Sequence, residues 1–178
     1  MRRKLILLHL VFAGVMAPAF LLLAASGGLY LLGIKGTTAS SPLPVAAGPT
    51  LDFGAADIDA ATRRFLAQAG IDHDFEYVKH RGDSLDLRPT SRTYLTIAET
   101  TDGLRVTRHE PDLQKAMIEL HKGHGPQLFK LYQKAVAVAL IGVVLGGVVV
   151  GLLAPVWRRT TIVSVVIGTA VFAALALL

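Results

Sequence analysis

His121 and His124 stand three residues apart in the stretch LHKGHGP, residues 120–126, with Gly123 and Gly125 on either side of the second histidine. Neutral imidazole suits zinc, copper or iron. The pair is therefore a candidate ligand set for haem or a metal ion, to be completed by another chain. His9 is a third candidate, because it lies in a long uncharged run, where an ionisable side chain is a functional candidate by default. Two histidines are too few for a closed structural metal site, and the only carboxylate close to them in sequence is Glu119. A mechanical reading competes. Glycine takes backbone angles that other residues resist, and proline disfavours helix in the residue before it. On that reading Gly123, Gly125 and Pro126 are a hinge between a helix that ends and one that begins. The chain has no cysteine, which excludes thiolate catalysis and Cys-ligated metal. It has no nucleophile elbow, P-loop or HExxH motif either, so no catalytic residue and no metal-ligand set is assigned.

The elements around these residues are set by where charge is missing. Thirty residues between Lys4 and Lys35 carry no formal charge, nor do 23 between Lys134 and Arg158 or 19 from Thr160 to Leu178. About 20 helical residues cross a hydrocarbon core of about 30 Å, so each run can span a bilayer. All 13 acidic residues lie between Asp52 and Glu119, and ten of the 18 bases lie from Arg63 to Lys122, leaving residues 52–122 at net −3. The other eight bases flank the apolar runs. The net charge of +5 is thus a membrane-flanking pattern and not a nucleic-acid signature. Arg2, Arg3 and Lys4 before the first run and Arg158-Arg159 between the second and third put both places in the cytoplasm. The middle region and the C-terminus are then outside. The first run is too long for the apolar core of a cleaved signal peptide and reads as an anchor.

The middle region has the pattern of a small α+β domain. Residues 35–50 are mostly small residues, Pro and Gly, and read as a linker. Ile58, Ala61, Phe65, Leu66 and Ala69 share one helical face, with Gly70 as the stop. DFEYVKH and SLDLRP alternate like strands about a turn at Arg81-Gly82-Asp83, which places the integrin-type tripeptide in an ordinary turn. Asp102-Gly103 predicts a tight turn between two more strands. Leu113, Met117 and Leu120 then restore helical spacing, with Pro111 near the start and Gly123 at the end. His73, His80 and His109 fall on or beside strands and read as surface residues. In the second span, Gly142 with Gly146 and Gly147 with Gly151 have GxxxG spacing, which lets another helix approach closely.

Three pieces together resemble the PepSY-associated transmembrane family: LLHLVFAG leading to LLLAASGGLYLL, the helix–strands–helix segment, and LHKGHGPQLFKLYQKAVAVALIGVVLGGVVVGL. The resemblance covers roughly residues 5–153. It implies three transmembrane helices with a small PepSY-like domain of helix, antiparallel strands and helix, in the bacterial inner membrane with that domain periplasmic. The corresponding boundaries are 1–36 for the N-terminus and first helix, 37–126 for linker and domain, 127–156 for the second helix, 157–159 for a cytoplasmic loop and 160–178 for the third helix. Some larger relatives look like ferric-siderophore reductases that hold haem between histidines of several spans. This chain has a single PepSY-like unit and no flavin or dinucleotide motif. The expectation is a non-enzymatic accessory or regulatory protein whose domain binds a partner, within the bilayer and alongside other membrane subunits or a second copy, without nucleic acid and without a cofactor of its own. The alternatives are a haem-binding electron-transfer subunit, with haem b as the cofactor the resemblance allows, and a periplasmic peptidase inhibitor.

Overall fold

A computed structural model describes residues 2–45, 48–101 and 103–178. Ten elements follow one another: α1 (Arg2–Leu31), β1 (Thr38–Leu43), α2 (Ile58–Gln68), β2 (Tyr77–Arg81), β3 (Ser84–Arg88), β4 (Tyr94–Thr100), β5 (Gly103–Pro111), α3 (Leu113–His121), α4 (Gln127–Leu152) and α5 (Arg158–Leu177). Two compact units form, Leu22–Gln133 and Met1–Leu21 with Lys134–Leu178.

In the first unit an antiparallel sheet runs in the order β1-β5-β4-β3-β2. Period-2 alternation splits its faces. Leu85, Leu87, Leu95, Ile97 and Val106 face Phe65 and Leu66 of α2 and Phe75 in one apolar core. Asp57 caps α2 by accepting from the Ala60 N–H at 2.9 Å. The opposite face of β3 carries Asp86 and Arg88, both buried. There α3 covers the sheet, and its buried residues are Ile118 and Glu119. The helix face expected from spacing is therefore displaced: Leu113 is 77% exposed, and a carboxylate takes a place where an apolar side chain was expected. Pro111 ends β5, and Asp112 is the cap of α3.

The segment read as a linker contains β1, which pairs with β5 from Thr38 opposite Pro111 to Leu43 opposite Val106. Its residues do not alternate, so it is held mainly by backbone pairing, with Ser40 bonded to His109 at 2.8 Å and Asp112 fixing its start. Asp112 accepts from the Lys115 N–H at 2.7 Å, capping α3, and from the Thr37 N–H at 2.7 Å and hydroxyl at 2.9 Å, fixing the start of β1. These bonds, the backbone one from Lys115 first, hold the Asp112 carboxyl below its ordinary range. The other edge, β2, is blunted by α2, whose Asp59 accepts from the Val78 N–H at 2.7 Å. Between β4 and β5, Gly103 pairs with Thr100 and so belongs to the strand rather than to the turn; Asp102 lies outside the described residues.

The second unit is helical, made of α5 and parts of α1 and α4. Ile6–Leu31, Gln127–Leu152 and Arg158–Leu177 are each long and apolar enough to cross a membrane, with mean hydropathy of 2.4, 2.7 and 2.2. They expose leucine, valine and isoleucine along their length, a surface suited to lipid rather than to water. The chain is a membrane protein by this criterion. Arg158 and Arg159 form the first turn of α5 rather than a loop, and Arg158 Nε donates to the Leu152 carbonyl at 2.9 Å, satisfying an end group of α4.

Candidate functional site

The joint at 120–126 is built from its backbone outward. Gly123 sits at φ 75°, where other residues are strained, and ends α3. Its N–H donates to the Leu120 carbonyl at 3.0 Å and the His124 N–H to the Glu119 carbonyl at 2.9 Å, the paired bonds of a Schellman motif. Gly125 is needed for space. A Cβ there would lie 2.7 Å from Leu120 Cδ2 and 3.2 Å from Phe129 Cδ1. The Pro126 carbonyl accepts the first helical bond of α4, from the Lys130 N–H at 3.0 Å, so Pro126 caps the helix instead of lying inside it. The three hinge residues thus have three separate tasks: a left-handed turn, a close approach and a helix start.

The two histidines of the joint do not face a common point. His124 Nδ1 donates to Glu119 Oε2 at 2.7 Å. The same carboxylate accepts from the Thr90 hydroxyl at 2.8 Å, and Thr90 accepts from Arg88 Nη1 at 2.9 Å. Arg88 Nη2 lies 3.5 Å from Asp86, whose other oxygen accepts from Thr96 at 3.1 Å. A polar chain, Asp86–Arg88–Thr90–Glu119–His124, therefore runs through the layer between sheet and α3. The backbone closes it, since the Thr90 N–H donates to the His124 carbonyl at 3.1 Å. Burial by itself raises the Glu119 pKa. The hydrogen bonds from His124 and Thr90, with the charges of His124 and Lys122, outweigh burial and hold the carboxyl below its ordinary range.

His121 turns the other way. Its Nδ1 lies 2.8 Å from the hydroxyl of Ser26, a fully buried residue of α1, and its ring packs on Gly27. The Ser26 hydroxyl also lies 3.3 Å from the Leu23 carbonyl. The SGG end of the first helix and the LHKG element thus meet through the Ser26–His121 bond.

His9 lies among the helices, partly buried. Its Nδ1 is enclosed without a hydrogen-bond partner, and a Cβ at Gly146 or Gly147 would lie 3.6 or 3.4 Å from the ring. Within the described residues the glycines of α4 meet different neighbours. Gly146 and Gly147 together make the notch for His9, while Gly151 admits Thr161 of α5. Among the described residues nothing lies within 4 Å of a Cβ at Gly142. Among the described residues no three of His, Asp or Glu converge as metal ligands.

His109 and His73 are not simple surface residues. His109 stacks on Tyr94 with centroids 4.7 Å apart and bonds Ser40 at 2.8 Å, and His73 is half-buried. Spacing alone did not reveal Arg88, Thr90 or Asp86; the signal available was two charges alternating with leucines in SLDLR. No family model, curated protein or solved structure matches this chain.

Proposed function

We propose that this chain is a non-enzymatic accessory protein of the bacterial inner membrane. Its PepSY-like domain stands in the periplasm, binds a partner protein, and passes the bound state to the helix that follows. The observation that carries this reading is how the domain grips the start of α4. Glu76 accepts from the Gln127 N–H at 2.7 Å. Lys130 donates to the Tyr77 hydroxyl and lies 4.2 Å from the centre of its ring. Gln133 Nε2 donates to the Leu120 carbonyl at 2.6 Å. Strand, helix and joint therefore each hold the first two turns of α4, so a load on the sheet reaches that helix without crossing a flexible linker.

One feature favours the rival, a haem-bearing electron-transfer subunit. Among the described residues His9 has an enclosed ring nitrogen without a partner, and the His121 ring is held by Ser26. Each would hold haem iron through a ring nitrogen, together with a ligand from another chain. Bound haem would provide one-electron transfer. This chain's own part would be to hold each ring: Ser26 orients His121, and Gly146 with Gly147 lie against His9.

A reduced-minus-oxidised visible spectrum of the full chain, purified from haem-replete membranes with its bound proteins, separates the two readings. The accessory reading expects no b-type bands and a co-purifying protein in fixed ratio. Sharp b-type bands that disappear in His121→Ala or His9→Ala would replace it with the electron-transfer reading.

A further inference from the structure

Two neighbouring cavities, of about 420 and 340 Å³, share Ile71, Asp72 and His73 as walls and form one groove beside α2. The smaller cavity has Leu43, Ile71 and Leu95 as its apolar part, with Arg92, Arg108 and His73 beside them. We propose that this groove binds an extended peptide segment of a partner protein through an acidic side chain, with Arg92 and Arg108 taking the carboxylate and His73 lying against it. The proposal rests on the reading that the domain binds a protein, and it names where and by what chemistry.

The charges in the groove are not balanced. Of its two acids, Asp74 is already engaged by Arg63 at 3.6 Å, and Arg63 is itself fixed by donating to the Phe75 carbonyl at 2.6 Å. Arg108 uses only its Nε in a pair with Glu110, at 2.8 Å. Arg92 makes no ion pair among the described residues. The groups that face His73 are Arg108 from β5, Arg92 from the turn before β4, and Asp72 and Asp74 from its own segment. Burial first, then Arg108 and Arg92, lower the His73 pKa against the pull of Asp74 and Asp72. The field at the ring is therefore positive even with two carboxylates beside it. A guanidinium offers paired donors that match a carboxylate, and the half-buried Leu43 and Ile71 can take the aliphatic part of a side chain.

The test uses the full chain in zwitterionic nanodiscs and follows the His73 ring-proton resonance against pH. The probes are a blocked Leu-Glu-Leu tripeptide, blocked Leu-Gln-Leu as its uncharged control, and inorganic phosphate. The acidic peptide is expected to bind and to move the His73 midpoint to higher pH, because a bound anion offsets the arginine field. By linkage, the peptide also binds more tightly as pH falls through that midpoint. Replacing both Arg92→Gln and Arg108→Gln, two exposed side chains whose loss leaves the core intact, is expected to weaken binding at least about tenfold. Equal binding of the uncharged control, an unchanged affinity in the double variant, or phosphate matching the peptide would each overturn the proposal. If the peptide fails to bind while a partner protein still co-purifies with the chain, this groove is refuted and the accessory reading stands.

Discussion

Arg88→Met is expected to destabilise the domain by about 3–5 kcal/mol, the cost of leaving a buried charge without its partner. The side chains of Arg88 and Asp86 are only 8% and 5% exposed. Without the guanidinium, Asp86 keeps the Thr96 hydroxyl and a distant Arg81 at 4.0 Å, and Thr90 loses the donor that orients its hydroxyl toward Glu119. Removing both charges, as in Asp86→Leu with Arg88→Met, should recover much of the loss, because no unpaired ion remains. Urea midpoints of the full chain, read by pulse proteolysis, provide the comparison. A single variant within about 1 kcal/mol of the parent would show that the polar layer does not hold α3 to the sheet. The far end of the same layer gives a pH signature. The folded Glu119 pKa lies below its unfolded value, so its stabilisation is fully present above the ordinary glutamate range, about 4.3, and is lost as pH falls through the lower folded value. The stability gap between parent and Glu119→Gln should therefore narrow in acid.

Gly151→Val is expected to loosen the α4–α5 hairpin by about 1–3 kcal/mol, the usual cost of overpacking a close contact. A Cβ at 151 would overlap the Thr161 hydroxyl and lie 3.0 Å from its Cγ2. Thr161 has little room to yield: it is β-branched, and its hydroxyl is bonded to the Trp157 carbonyl at 2.9 Å. Gly142→Val, at an open position, should stay within about 0.5 kcal/mol. Trp157 is the only tryptophan in the chain and sits in the connecting turn, so its fluorescence during unfolding in detergent reports on this hairpin. Thr161→Ala combined with Gly151→Val should restore part of the loss. Equal behaviour of the two glycine variants would mean that Thr161 is not seated against Gly151.

These two sites also show what could be read from the residues alone. The three apolar helices were legible because a run without charge needs no partner to be recognised. The core face of α2 was legible because Phe65 and Leu66 meet an apolar sheet, and the Arg81–Ser84 hairpin because its turn is local. The α3 face was misplaced because its partner surface is polar. A helix lying on Asp86 and Arg88 buries a carboxylate, and hydrophobic spacing then points to Leu113 instead. β1 was hidden in TASSPL because its order comes from β5, about 70 residues further on, and not from alternation of its own. GxxxG spacing marked the right helix, but it paired glycines that serve different neighbours. The positions of His121 and His124 were visible, yet their hydrogen-bond partners were not. Only the folded chain brings Ser26, 95 residues away, to one ring while Glu119 takes the other.

The central proposal is that the domain lies on the periplasmic side of the membrane. Single cysteines in this cysteine-free chain test it most directly, at Asp83 in the exposed β2–β3 turn and at Arg159 in the first turn of α5. In intact cells, a thiol reagent that enters the periplasm but not the cytoplasm should label Asp83→Cys and spare Arg159→Cys until the inner membrane is opened. Labelling of Arg159→Cys with protection of Asp83→Cys would contradict the account.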